Sequence, residues 1–336
     1  MSQFKIEKLS YPTEFQFSEI SKFVDNHPNT NFFQSINYFK AAQKSPNLKP
    51  YFFVISKENL IVGSVLVVNQ SQINFPLFNK LSARNIISGG PLIENNDNEI
   101  LLAFLDFYKK NKPFAIYTQI RNFNDISTGK TIFEEQKFNF EEHLNILVDL
   151  KKSEEELWKD VHTKRRNEIR RASKEGTIFE NSTSEIELNN AYLILQEVYN
   201  RAKLPLPKMT HFKALFDNNS LKLFIAKNDN KTIGCMLCLA HKGILFDYYA
   251  GAYSAHYSKY PNDLIPWEVF LWAKNNHFTQ FDFGGAGKPN VEYGVREYKK
   301  KFGGELVNFG RFEYAHFPFL FSILSRLFKF IQKIKK

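Results

Sequence analysis

The chain has 336 residues, room for about two domains of roughly 150 residues each. Hydrophobic residues make up 43% and charged residues 24%, which excludes a globally disordered chain, and the 35 Phe point to an aromatic core. A net charge of +10 favours anionic partners: nucleic acid, nucleotide-linked substrates or an acidic membrane surface. The two cysteines, Cys235 and Cys238, exclude a disulfide framework and lack the second pair of a structural zinc site. They lie in an apolar strand-like run and read as core residues of a protein kept in a reducing compartment. The eight His are scattered, no His/Asp/Glu cluster has metal-ligand spacing, and no metal is expected. MSQFKIEKLS has no apolar h-region, so no signal peptide is expected. No run of about 18 uncharged apolar residues exists, so no transmembrane helix is expected either.

In chain order, residues 1–30 read as a short strand (Phe4 to Leu9) and an amphipathic helix around Phe17 to Val24. NFFQSINYFKAAQKS, residues 31–45, is a loop entering a helix. YFFVISKENLIVGSVLVVNQ is a hairpin about Lys57-Glu58-Asn59, and Ser88-Gly89-Gly90-Pro91 is a sharp break. Glu99 to Asn111 is helical, with Leu101, Leu102, Leu105 and Tyr108 on one face. AIYTQIRN is a strand, Thr131 to Lys137 a short helix, and FNFEEHLNILVDL a further strand.

Ser153 to Gly176 reads as one helix: Ser153 and Glu156 form a capping box, and Gly176 is a C-terminal stop. Lys159, Arg166 and Arg170 fall at i, i+7 and i+11, a basic face suited to phosphate, although charge runs are more often plain surface. Glu185 to Ala202 and Thr210 to Phe216 are helical. LKLFIAKNDNKTIGCMLCLAHKGILFDYYAGA gives three strands, Asp263 to Asn275 a helix, and TQFDFGGA a strand running into a glycine turn. Glu297 to Lys301 is a short helix and FGGELVNFGRFEY a final strand pair. FPFLFSILSRLFKFIQKIKK, residues 317–336, is a basic amphipathic helix, too short and charged to span a bilayer but suited to an anionic interface or to packing on protein.

The two halves repeat one order of elements. YFFVISKENLIVGSVLVV matches LKLFIAKNDNKTIGCMLCLA, and LLAFLDFYKKNKPFAIYTQIRN matches VFLWAKNNHFTQFDFGG. FEEQKFNFEEHLNILVDL matches YKKKFGGELVNFGRFEY. A duplicated unit of hairpins and interleaved helices implies an α+β fold with two mixed, mainly antiparallel sheets. The boundaries read as 1–150, 151–316 and the helix 317–336.

With these segments in place, the chain resembles a tandem pair of GNAT-fold acyltransferase domains, and in particular the Fem-type family of peptidoglycan aminoacyltransferases. The segments that carry the resemblance are FFQSINYFK (32–40), SGGPLI (88–93), LWKDVHTKRRNEIRRASKEG (157–176), YYAGAY (248–253), LIPWEVFLWA (264–273), FDFGG (281–285) and YKKKFGGE (298–305). The resemblance implies transfer of an aminoacyl group to an amine of a phosphate-bearing cell-wall precursor, UDP- or lipid-linked, in the cytoplasm or at the inner face of the membrane. It implies that Lys40 and Arg166, with Arg170 as neighbour, hold precursor phosphates, and that Lys299 stabilises the acyl-transfer transition state. Tyr298 stands where the family has phenylalanine, and Tyr38 where it has tryptophan. Tyr298 is counted with the substrate-binding residues.

The residues themselves leave other roles open. Asp282 is a general base, an orienter of the substrate amine, or a cap on the following turn. Asp247, Tyr248 and Tyr249 line the cleft or pack as ordinary strand residues. No cofactor is expected to be bound, and the acyl donor stays open between aminoacyl-tRNA and acyl-CoA. The family's tRNA-contacting helical hairpin has no counterpart between Gly176 and Lys222, and no coenzyme-A phosphate loop is found in either half. An acyl-CoA-dependent transferase acting on a surface polysaccharide or lipid is the second reading. A non-catalytic nucleic-acid- or membrane-binding protein is the third.

Overall fold

The computed structural model describes residues 3–71, 82–125, 129–323 and 326. It divides into two compact units, 1–141 with 309–336, and 142–308. The α+β class and the duplicated, mainly antiparallel unit expected from the sequence are borne out.

The first unit runs β1 (Lys5–Leu9), α1 (Glu14–Asn26), α2 (Ile36–Gln43), β2 (Leu48–Lys57), β3 (Leu60–Gln70), β4 (Arg84–Ser88), β5 (Leu92–Ile93), α3 (Asn98–Asn111), β6 (Tyr117–Arg121), α4 (Lys130–Glu135) and β7 (Asn139–Glu141). Thr13 and Gln16 close a capping box on α1, and Asp97 caps α3. Alternation along β2 sends Phe52 and Phe53 to opposite faces. Phe52 stacks on Phe39 of α2 at 4.9 Å, whereas Phe53 meets Phe104 and Tyr108 of α3.

The segments 32–40 and 88–93 interlock. β3 pairs with β4 at Val68–Gln70 and with β5 at Gly63 and Ser64, so Leu66 between them has no strand partner on that edge among the described residues. The fully buried Gln34 supplies the missing rung. Its Oε1 accepts from Leu66 N at 2.7 Å, and its Nε2 donates to Ser88 O at 2.9 Å and Leu66 O at 3.4 Å. A side chain at Gly90 would displace the Gln34 amide, because a Cβ there would lie 2.8 Å from it. Asn31 Nδ2 donates to Gly89 O at 2.6 Å.

The second unit runs β8 (Leu144–Asp149), α5 (Glu154–Asp160), α6 (Thr163–Lys174), β9 (Ile178–Ser182), α7 (Glu185–Ala202), α8 (Met209–Asp217), β10 (Leu221–Asn228), β11 (Lys231–His241), β12 (Ile244–Ala252), α9 (Pro261–Asn275), β13 (Gln280–Gly285), α10 (Gly294–Lys300) and β14 (Glu305–Asn308). Its strand order is β14-β8-β13-β12-β11-β10-β9. The chain then returns to the first sheet as β15 (Arg311–Ala315), which enters between β6 and β7 to give β1-β2-β3-β4-β6-β15-β7.

The units thus cut the chain at 141/142 and 308/309 rather than at 150 and 316. The reason is pairing: β8 finds its partners in β13 and β14, and β15 in β6 and β7. The expected single helix from Ser153 to Gly176 is two. The Ser153–Glu156 capping box is present, but Val161 is extended (φ −67, ψ 126) and ends α5. His162 then caps α6 by accepting from Lys164 N, while its own N–H donates to Lys301 O at 2.8 Å. Of the expected helix 317–336, residues 318–323 are helical, and 324–325 and 327–336 lie outside the described residues. No helix among the described residues is long and apolar enough to cross a membrane.

Candidate active site

Among the described residues each unit contains one parallel strand pair. In the first, β4 and β6 stay paired along their length, from Arg84 with Tyr117 to Ser88 with Arg121. In the second, β12 and β13 pair only from Ile244 with Gln280 to Phe246 with Asp282, and their later residues have no ladder between them. Both strands are irregular where the pairing stops. Opposite β11 the register jumps so that Tyr248 is an extra residue, and opposite β8 it shifts between Asp282 and Gly285. Bulges of this kind re-aim side chains and favour functional sites.

Three charged groups collect at this divergence. Lys299, at the last turn of α10, reaches back so that its ammonium donates to Phe283 O and Gly285 O and lies 4.0 Å from the Asp247 carboxylate. The two side chains are 14% and 10% exposed, so the pair is nearly dry. Asp282 on β13 is buried, and its Oδ1 accepts from Gly284 N at 2.7 Å. Burial pushes the Asp282 carboxyl up to about 6, against the Gly284 N–H, the Lys299 ammonium and the Asn145 amide, which hold it down. Burial likewise raises Asp247, and Lys299 opposes that shift.

The support around this cluster is well defined. Arg296 is buried and donates to Ala286 O at 3.3 Å and Lys288 O at 2.6 Å, fixing the glycine turn. Tyr298 donates its hydroxyl to Asn262 O at 2.5 Å, and burial pushes that hydroxyl far above its ordinary value. Arg165 lies over the Tyr298 ring at 4.8 Å, pairs with Glu168 at 3.0 Å and bonds Asp263 on α9. One guanidinium thereby ties α6, α9 and α10 together behind Lys299. Desolvation raises the Asp263 carboxyl despite that arginine.

The residues expected from the sequence fall into four groups. Lys299 and Asp282 come together in the second unit, with Tyr298 next to them. Arg166 and Arg170 bracket Trp158 at the break between α5 and α6: Arg166 donates to Trp158 O at 3.3 Å and Thr163 Oγ1 at 3.1 Å, and Arg170 lies 5.3 Å over the indole. Tyr248 and Tyr249 pack among helical side chains: Tyr248 bonds His211 Nε2 of α8 at 2.8 Å, and Tyr249 meets Tyr199 of α7 and Phe212 of α8. Lys40 belongs to the first unit, 4.8 Å over the Phe17 ring and 4.0 Å from Glu14. Sequence reasoning missed Arg165 and Arg296, and gave Asp247 only a place in the cleft lining. Arg165 adjoins Arg166, and only the turn at Val161–His162 decides which of the two faces inward. Among the described residues no group of His, Cys, Asp or Glu is arranged to hold a metal ion.

Among the described residues each of the two mixed sheets has a single parallel pair and is flanked by helices, an architecture of the tandem GNAT type. Residues 160–300 match the acetyltransferase (GNAT) domain family. The structure is similar to the crystal structure of FemX (TM-score 0.71, 15% identity, 94% of this chain and 99% of that one). It is also similar to L-PGS from Bacillus licheniformis (TM-score 0.61, 15% identity, 94% and 97%). A third neighbour is a tandem GNAT protein of the clavulanic acid biosynthesis pathway (TM-score 0.58, 7% identity, 93% and 98%). In sequence, the UDP-N-acetylmuramoylpentapeptide-lysine N(6)-alanyltransferase of Weissella viridescens is 22% identical over 192 residues, 55% of this chain and 54% of that enzyme. The chain therefore spans about half the length of that relative in the match. The Fem-type resemblance read from the sequence is borne out by these similarities, and at such identities the likeness to the solved structures is one of fold.

Proposed function

We propose that the chain is an acyltransferase of the Fem type, moving an aminoacyl group onto an amine of a phosphate-bearing peptidoglycan precursor. The observation that carries this reading is the Lys299 ammonium, nearly dry and held by two backbone carbonyls where β12 and β13 part. A fixed cation in a poorly solvated wedge stabilises the oxyanion that develops when an amine attacks an activated acyl carbon. The alanyltransferase similarity supports a UDP-linked muropeptide as acceptor, with the lipid-linked precursor as its alternative. Lys40, Arg166 and Arg170 are the proposed phosphate-binding residues, by the family resemblance.

Aminoacyl-tRNA is the donor we favour over acyl-CoA. A coenzyme-A pyrophosphate needs free backbone N–H groups in a glycine turn. Here Asp282 already takes the Gly284 N–H and adds a carboxylate beside it. We place the reaction in the cytoplasm, at the membrane's inner face when the acceptor is lipid-linked. Phe317 and Phe319 are exposed, the latter at 82%, next to a tail with Arg326, Lys329, Lys333 and Lys336 and no acidic residue. Such a segment suits an anionic lipid surface. Phe319→Asp should then reduce co-sedimentation with phosphatidylglycerol vesicles, and unchanged binding would remove the tail from the membrane.

The reading is tested with a charged-tRNA pool and a UDP-linked muropeptide, by the mass gained on the acceptor. Lys299→Met, which keeps bulk and removes charge, should lower kcat by about 100-fold or more. An unchanged kcat would dismiss Lys299 as the oxyanion partner.

A further inference from the structure

Asp247 and Asp282 both sit beside Lys299, yet they differ in what their oxygens already do. Asp282 is committed to the turn: it accepts from Gly284 N at 2.7 Å and interacts with the Asn145 amide. The described contact of the Asp247 carboxylate is the ion pair with Lys299. The β12 bulge creates this difference. It directs both Tyr248 and Tyr249 to α7 and α8, and leaves Asp247, opposite Cys238, beside α10 where the parallel ladder has ended.

We propose that Asp247 and Lys299 form a proton relay for acyl transfer, Asp247 taking the proton that the acceptor amine loses and Lys299 supplying one to the leaving group. The inference rests on the acyltransferase reading above. The neutral amine attacks the acyl carbon of the donor ester and the C–N bond forms. The amine's proton goes to an Asp247 oxygen. As the acyl C–O bond breaks, its electron pair stays on the leaving oxygen, which takes a proton from Lys299 Nζ. The Asp247 carboxyl then returns its proton to the Lys299 amine across their 4.0 Å separation, and both groups regain their starting charge. One proton has moved from the amine to the leaving hydroxyl, and no further reactant is required.

The surroundings suit a base. Lys299 on α10 pairs with Asp247, and Tyr298 on α10, Asp282 on β13, Cys238 on β11 and Tyr199 on α7 feel its charge. Lys299 alone among them carries positive charge. Burial outweighs it and raises the carboxyl above the ordinary aspartate value, nearer the working pH, which strengthens it as a proton acceptor. The basic form is populated above that raised value, so the rate should fall as pH falls through it.

The test compares wild type, Asp247→Asn and Asp247→Glu in the charged-tRNA and muropeptide assay, with pH–rate profiles and melting curves. The relay predicts that Asp247→Asn lowers kcat about 100-fold, leaves KM nearly unchanged and removes the acidic limb of the profile, while Asp247→Glu restores part of the rate. The Glu variant also keeps the charge beside Lys299, which serves should the Asn variant fold poorly. An Asn variant with the wild-type kcat and acidic limb overturns the relay. So does a loss confined to KM, or a Glu variant as slow as the Asn one. A wild type that transfers nothing to any precursor defeats the acyltransferase reading itself, whereas an active wild type with an unaffected Asn variant defeats only the relay.

Discussion

Single side chains decide more here than their number suggests. Gln34 is the clearest case, because one amide completes the ladder that β3 lacks between β4 and β5. Replacing it with leucine keeps the volume but leaves Leu66 N and Ser88 O buried without that partner. Each orphaned buried group costs about 1–3 kcal/mol, so Gln34→Leu should lose about 3 kcal/mol or more of stability. The urea midpoint measures this, and an unchanged midpoint would show that the rung carries no weight. The same residue shows the limit of motif reading. FFQS was legible as a family segment, but that its glutamine bonds the backbone of β3 and β4 was not. Lys299 was legible through the family resemblance of YKKKFGGE, which names the residue but not the carbonyls of Phe283 and Gly285 that it meets. Asp247 was harder to read. An acid in an aromatic strand signals little until a bulge displaces its neighbours to the other face.

At the level of elements, local signals were read well and pairing signals poorly. Ser153 with Glu156 marked a helix start, and the capping box is there. The continuous 3.6-residue pattern from Leu157 to Ala172 hid the break at Val161, since a valine that ends one helix and is buried fits the apolar stripe as well as one inside it. What makes the break stable is non-local: Lys301 O accepts from His162 N. That turn redirects the basic face, placing Arg165 inward against Tyr298 and leaving Arg166 and Arg170 around Trp158. The hairpins β2–β3 and β10–β11 were readable from turn residues such as Asn59 and Asp229, which adopt positive φ. The point where β12 and β13 part was not, because it depends on which strands lie beside them. The proposed site lies at that parting: the first unit's parallel pair stays closed along its length, and the second, where its pair opens, gathers Asp247, Asp282 and Lys299.

On the scale of the whole chain, the two units are repeats in order but not in connectivity. The second, 142–308, holds its seven strands in one continuous segment. The first depends on a strand delivered from beyond the second, for β15 separates β6 from β7 and hydrogen-bonds to both. Its Phe312 is fully buried, stacked on Phe133 at 4.3 Å and edge-on to Phe140 at 5.4 Å. Removing β15 takes away two ladders and a core ring at once, and a buried Phe→Ala change alone costs about 3–5 kcal/mol, a large share of a domain's net stability. Fragment 142–308 should therefore melt cooperatively by itself, whereas fragment 1–141 should not. Adding the segment 309–323, by a short linker joined to residue 141 or as a peptide in trans, should restore cooperative melting to the first unit. Circular dichroism on the two fragments decides it. A cooperative transition in 1–141 alone would mean that the sheet closes without β15, and that the return of the chain adds length rather than stability.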